Sequence, residues 1–184
     1  MMPFMHDSPA NPRLLVKPGT ISMKVSPDLK SIRPVILGAV VRGVNIDEDA
    51  IKRLMDHQEK LHFALGRGRK RASIGVHDLN KVSPPFRVEA VDRNHSFIPL
   101  AMEEPMTIQE ILEQHPKGID YAHLLEGMEN VPVILDSNND VLSFPPIING
   151  EHTTVTTETR NLFVDVTGLD QRACESALML VCLQ

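Results

Sequence analysis

The stretch "VPVILDSNNDVLSFPPIINGEHTTVTTETRNLFVDVTG", residues 131–168, decides the fold class. Two apolar runs, 131–136 and 141–144, flank the turn "SNND" (137–140) and read as a β-hairpin. A third run, "NLFVDV" (161–166), reads as another strand. The chain between is built from prolines, an Asn-Gly pair and five threonines. No helical pattern separates these strands, so the βα alternation of a doubly wound sheet is missing. The class that follows is α+β: a mixed, mostly antiparallel sheet or sheets with packed helices.

Upstream, "TISMKV" (20–25) alternates as an edge strand does, and "RPVILGAVVRGVNI" (33–46) reads as a buried strand because its apolar run is nearly continuous. Asp47 caps a helix expected to reach about Leu65, with Ile51, Leu54, Met55, Leu61 and Leu65 as its apolar stripe. The basic turn "GRGRKR" (66–71) ends it, and the short apolar segment "ASIGVHDL" (72–79) follows. "FRVEAV" (86–91) alternates as a half-exposed strand. Thr107 and Glu110 make a capping-box pattern at the head of the helix "TIQEILEQH" (107–115), and "YAHLLEGM" (121–128) is expected as a second short helix. "LDQRACESALMLVCL" (169–183) is a closing helix with an apolar stripe. Residues 1–19 are proline-rich and aperiodic, a flexible N-terminal arm ahead of one domain over 20–184.

A chain of 184 residues can bury one good core. With six Phe, one Tyr and no Trp, aliphatic side chains must supply most of it. The formal net charge of −5 argues against an autonomous, charge-driven nucleic-acid binder. It does not exclude a module that receives nucleic acid from a larger partner. No apolar run approaches the roughly 20 residues of a membrane span, and "MMPFMHDSPANPR" (1–13) has no signal-peptide core. Cys174 and Cys182, on one helix, would lie about 12 Å apart along its axis, beyond disulfide reach. They read as core fillers in a reducing, cytoplasmic setting.

Eight histidines invite a metal, yet no HxH, HExxH or CxxC pattern exists and no His lies near the cysteines. No metal site is expected. Arg67, Arg69, Lys70 and Arg71 form the densest cationic cluster. They read either as a solvated helix end, whose cations offset the dipole, or as a contact for phosphates. His77 and Asp78 are strand neighbours pointing to opposite faces, so they make no dyad together, and a structural histidine is expected. In the third strand, Asp165 and Thr167 share one face while Val164 and Val166 take the other. An acid and a hydroxyl opposite Ser143 would line a polar pocket. Beside them, the tight turn expected at Asn149-Gly150 would let a ligand approach the backbone, whose N–H groups suit an ester carbonyl or oxyanion. The alternative is a solvent-facing strand with a threonine-rich turn, and the residues alone leave both open.

Taken together, "RPVILGAVVRGV", "QEKLH", "SIGVHDL", "MTIQEIL", "ILDSNNDVLSFPPIING" and "TRNLFVDVTGLD" resemble the β subunit of phenylalanyl-tRNA synthetase of the archaeal and eukaryotic type. The matches keep their order over about residues 33–183, and "SFPPIING" and "TRNLFVDVTG" are the specific ones. The resemblance implies that subunit's editing domain, a mixed α+β unit that hydrolyses tyrosine wrongly esterified to the tRNA for phenylalanine. It implies a pocket walled by Leu135, Ser143, Asn149, Gly150, Asp165 and Thr167, in which Asp165 accepts the tyrosine hydroxyl; bacterial relatives carry Glu there. Water positioned near Asn149, Gly150 and Thr167 would do the work of a metal or nucleophile, so editing needs no cofactor. ATP and magnesium would serve the full synthetase elsewhere. Arg67, Arg69, Lys70 and Arg71 become candidate tRNA contacts. The implied partners are tRNA(Phe) carrying tyrosine, the rest of the β subunit and the α subunit. The chain is then a fragment or a free-standing relative, unable to charge tRNA alone. The competing expectation is a non-catalytic module that binds the tRNA end or docks other subunits.

Overall fold

In a computed structural model describing residues 17–183, the strands gather into two main sheets that face each other across an apolar layer. In chain order the elements are β1 (Met23–Val25), β2 (Val35–Arg42), α1 (Glu48–Phe63), β3 (Ala72–Asp78), β4 (Phe86–Val91), β5 (Ser96–Phe97) and β6 (Met106–Thr107). Then come α2 (Ile108–Gln114), α3 (Pro116–Tyr121), β7 (Val131–Leu135), β8 (Val141–Phe144), β9 (Ile148–Asn149), β10 (Asn161–Gly168) and α4 (Gln171–Cys182). The larger sheet runs β1-β4-β7-β8-β9 and is antiparallel except for the β1–β4 pair. The smaller runs β2-β10-β3, all antiparallel, and β5 pairs with β6 apart from both. The architecture is the expected α+β.

Residue type explains the layers. α1 and α4 cover one side of the small sheet, where Leu54, Ile74, Val76, Val164, Val166, Cys174 and Ala177 share a core. Ile108, Ile111, Val131, Val133 and Phe144 make a second core between α2 and the larger sheet. Phe86, Val88, Ile134, Leu142 and Phe163 fill the space between the sheets. The ends are fixed by side chains: Asp47 accepts the Ala50 N–H at 2.7 Å, and Thr107 with Glu110 completes the expected capping box. Asp136 accepts from the backbone N–H groups of Ser83, Asn138 and Asp140, which pins the hairpin turn.

Three expectations change. β2 is not a buried strand but the edge of the small sheet, with only Val35 fully buried. Its run is apolar on both faces because each face meets a core, while its free edge meets water. The second short helix starts earlier, with Pro116 at its first turn, where a missing N–H costs nothing, and 122–125 is only a 3-10 turn. The two-residue strands β5, β6 and β9 carry no periodicity to read. Residues 1–16 of the expected arm lie outside the described residues.

Candidate functional site

β10 is the middle strand of the small sheet, and its faces differ in kind. Alternation sends Val164 and Val166 to the helix-side core, and Phe163, Asp165 and Thr167 to the layer between the sheets. Asp165 and Thr167 are each 1% exposed, which overturns the solvent-facing alternative. On β3, register sets Gly75 opposite Asp165 and His77 opposite Phe163. The missing side chain at Gly75 lets the Asp165 carboxylate lie across the neighbouring strand; a Cβ there would overlap Oδ2. His77 Nε2 is 2.7 Å from Asp165 Oδ2, and its Nδ1 is 2.8 Å from Thr153 Oγ1. The Thr153 hydroxyl also lies 3.0 Å from the Gly150 carbonyl. Asp78 points the other way, as expected, and accepts from the Thr159 hydroxyl at 2.7 Å.

Thr167 belongs to an adjoining network. The buried Arg33 donates from Nε to Thr167 Oγ1 at 2.7 Å, and from Nη2 to Thr167 O, Arg69 O and Ser73 Oγ within 3.0 Å. Burial lowers the Arg33 pKa to about 10, opposed by the nearby Cys174 and Asp165, so the guanidinium stays charged at neutral pH. Burial has the opposite sign for a thiol, and pushes Cys174 up to about 11.

Of the six residues expected to wall the pocket, only Asn149 is half-buried; the other five are buried. Ser143 and Asn149 pair across β8 and β9, and the Asn149 amide reaches Val76 O of the small sheet at 3.4 Å. Leu135 packs with Val133, Val141 and Phe144 in the core beneath α2, outside the layer that holds Asp165. Asn149-Gly150 is not a tight turn. Gly150 is extended (φ −72, ψ 142), and glycine is needed because a Cβ would overlap Val141 O. Its N–H already donates to Leu142 O at 2.8 Å.

The basic turn comes apart. Arg67, Gly68 and Arg69 have φ of 47, 62 and 67, so the chain winds left-handed there. Arg69 turns inward, 6% exposed. It donates to Pro146 O at 3.2 Å, Ile147 O at 2.8 Å and Glu59 Oε1 at 2.7 Å, with its guanidinium 4.3 Å from the Tyr121 ring centroid. The Glu59 carboxyl is held down to about 2, first by the facing His62 and then by Arg69 and Lys117. His62 is itself buried, which pushes its imidazole down, and its Nε2 accepts the Ile74 N–H at 2.8 Å. Arg71 pairs with Asp170. Arg67 and Lys70 alone of the four are exposed. Among the described residues, no three His, Cys, Asp or Glu side chains gather as a metal-ligand set, and no helix is long and apolar enough to cross a membrane.

The sequence profile of the B3/4 domain matches residues 28–179, most of the chain. The chain belongs to the B3/4 domain family. It is 54% identical over 160 residues to the phenylalanine–tRNA ligase beta subunit of Methanosarcina acetivorans, covering 87% of this chain and 29% of that protein. The beta subunit of Methanocaldococcus jannaschii is 52% identical over 150 residues, covering 81% and 27%. Among solved structures, an N-terminal fragment of the phenylalanyl-tRNA synthetase beta-subunit from Pyrococcus horikoshii matches with a TM-score of 0.89 at 40% identity, over 94% of this chain and 50% of that one. The beta-subunit resemblance therefore holds across nearly the whole chain. The chain spans less than a third of the length of these curated relatives.

Sequence reasoning misses several side chains at the heart of this B3/4 domain. In the sequence His77 reads as a structural histidine without a partner, and the partner comes from β10, 88 residues along the chain. Gly75, Thr153 and Arg33 do not stand out in the sequence as site residues at all. The parity of Ser73, Gly75 and His77 is readable as one strand face; the register that brings that face to Asp165 is not.

Proposed function

We propose that this B3/4 domain is a hydrolytic editor: Tyr-tRNA(Phe) and water give tyrosine and free tRNA(Phe). Its relatives are named as beta subunits of phenylalanine–tRNA ligase. Such an enzyme faces tyrosine as a near-copy of phenylalanine, differing by one hydroxyl. The observation that carries the reading is the Asp165 carboxylate, held between the sheets at 1% exposure with one oxygen bonded to His77. A carboxylate is acceptor-only and has further lone pairs, so it can take the phenolic O–H. A phenylalanyl ring offers no donor and would leave that acceptor unpaired. Sites built to bond a substrate hydroxyl reject the analogue lacking it by about 10⁴–10⁵. That direction suits an editor, which must destroy the tyrosyl ester and spare the phenylalanyl one.

Ser143, Asn149, Gly150 and Thr167 supply the polar walls, and the half-buried Asn149 marks the entrance; Leu135, packed in the core beneath α2, drops out of the wall. Water is held near Asn149, Gly150 and Thr167. Because the Gly150 N–H is given to Leu142, the Asn149 amide is the better candidate to hold the ester. Neither metal nor other cofactor takes part, a reading that rests on the scattered spacing of the histidines and cysteines. Chelation with EDTA should leave the rate within about twofold; loss of activity restored by zinc overturns this part. The partners are mischarged tRNA(Phe), the rest of a β subunit and the α subunit, in the cytoplasm. Of the non-catalytic reading, a module that binds the tRNA end or docks subunits, only the docking form is favoured by the net charge of −5 and the dispersed basic turn, which both count against holding phosphates. One assay separates the two: follow ester loss from Tyr-tRNA(Phe) and Phe-tRNA(Phe) at high protein concentration. Selective loss of the tyrosyl ester supports the editor, and two stable esters leave the binding module.

A further inference from the structure

We infer that His77 is the positioning residue that sets the tyrosine specificity of Asp165, an inference that rests on the editing reading. His77 is 0% exposed, and both of its ring nitrogens are within hydrogen-bond distance of a side chain. Nε2 lies 2.7 Å from Asp165 Oδ2, so ring and carboxylate share a proton there. The Thr153 hydroxyl has one proton for two acceptors, Nδ1 and Gly150 O. Where it donates to Nδ1, the ring proton sits on Nε2 and is donated to the Asp165 carboxylate, which remains an acceptor.

The Nε2 contact occupies one acceptor site of Oδ2 and leaves the remaining lone pairs of the carboxylate for a substrate hydroxyl. The bond also fixes the rotamer: Gly75 leaves the carboxylate room to lie across β3, and His77, two residues along the same face, stops it sliding. Thr153 anchors the far side of the ring to the segment that follows Gly150. Phe163 stacks near the ring, with centroids 6.0 Å apart.

The test uses the 184-residue chain and three variants, His77→Gln, His77→Leu and Thr153→Val. Gln can place an amide N–H near the Nε2 position, while Leu removes the donor at similar bulk. The first measurement is kcat/KM for Tyr-tRNA(Phe) against Phe-tRNA(Phe). His77→Leu should lower that ratio by about tenfold or more, the weight of one hydrogen bond to a charged group. His77→Gln should recover most of it, and Thr153→Val should lower it about threefold. The second measurement, calorimetric binding of free L-tyrosine against L-phenylalanine, needs no catalysis and should move in the same order. A parent ratio retained in His77→Leu, when Asp165→Ala loses it, overturns the role of His77 and leaves editing standing. A parent that hydrolyses neither ester ends the editing reading; the binding ratio then still decides, and equal ratios throughout overturn the inference. Should His77→Leu fail to fold, the Gln and Thr153→Val variants carry the same comparison, and a Thr153→Val ratio equal to the parent counts against it.

Discussion

The polar face of β10 and the basic turn at 66–71 are both short runs of chemically loaded residues, and the fold treats them in opposite ways. Along β10, alternation keeps Asp165 and Thr167 together and delivers them to one layer, where β3 adds His77 and Ser73 from across the ladder. In the turn, three successive positive-φ residues scatter their neighbours: Arg69 inward, Arg71 to Asp170, Arg67 and Lys70 to solvent. Density of charge in a sequence is therefore weak evidence for a surface when the segment is a tight turn. Periodicity in a strand is stronger evidence, because the pleat has only two faces to offer.

The comparison breaks first at Asp165. Asp165→Ala should cut Tyr/Phe discrimination by about a hundredfold, near the upper value for a hydrogen bond to a charged group. Stability should fall by less, roughly 1–2 kcal/mol, from the His77 donor left without its acceptor. Deacylation of the two esters, set beside urea unfolding of the same variant, distinguishes the two effects. An unchanged ratio would return Asp165 to a structural role. Next in size is Arg69. If it is internal scaffolding, Arg69→Met should cost about 2 kcal/mol by urea unfolding, because two backbone carbonyls and Glu59 lose their donor. The salt dependence of tRNA binding should stay as in the parent. Full stability with weakened tRNA binding would mean that Arg69 swings outward to meet RNA, and the contrast between the two regions would fail.

Much of the fold is legible because it is written in local chemistry. Asp47, Thr107 with Glu110, and the "SNND" turn (137–140) each fix an element end through bonds within a few residues. The apolar stripe of α1 lies where its period puts it, at Ile51, Leu54, Met55 and Leu61, and Leu65 joins the same core just past the helix end. What the sequence hides depends on distant neighbours. The run at β2 says that both faces are apolar, but not that one edge is bare. The glycine at 150 reads as a turn residue, whereas close packing against Val141 O is what demands it. The site follows the same division: the face shared by Asp165 and Thr167 is readable within one strand. Their partners His77 and Arg33 lie 88 and 134 residues away in sequence, through a strand pairing that no local pattern encodes.

The smallest expected effect belongs to the two cations that remain outside. Arg67 and Lys70 are exposed and flank Gly68 and Arg69, at a turn whose carbonyl at Arg69 also receives Arg33 from the Thr167 network. If they meet a phosphate, they would be positioning groups for a tRNA end and not parts of the chemistry. Arg67→Gln with Lys70→Gln should weaken tRNA(Phe) binding and flatten its log–log salt dependence by roughly one unit for each phosphate no longer neutralised. The rate at saturating tRNA should match the parent, because neither side chain lies among the pocket residues. Filter binding between low and moderate salt, followed by single-turnover hydrolysis at saturation, reads both quantities on one preparation. A slope and affinity equal to the parent would leave Arg67 and Lys70 as solvated charges at a helix end. The grip on tRNA would then have to come from the rest of a β subunit, and the contrast between the two regions would become complete, one converging on a site and the other serving none.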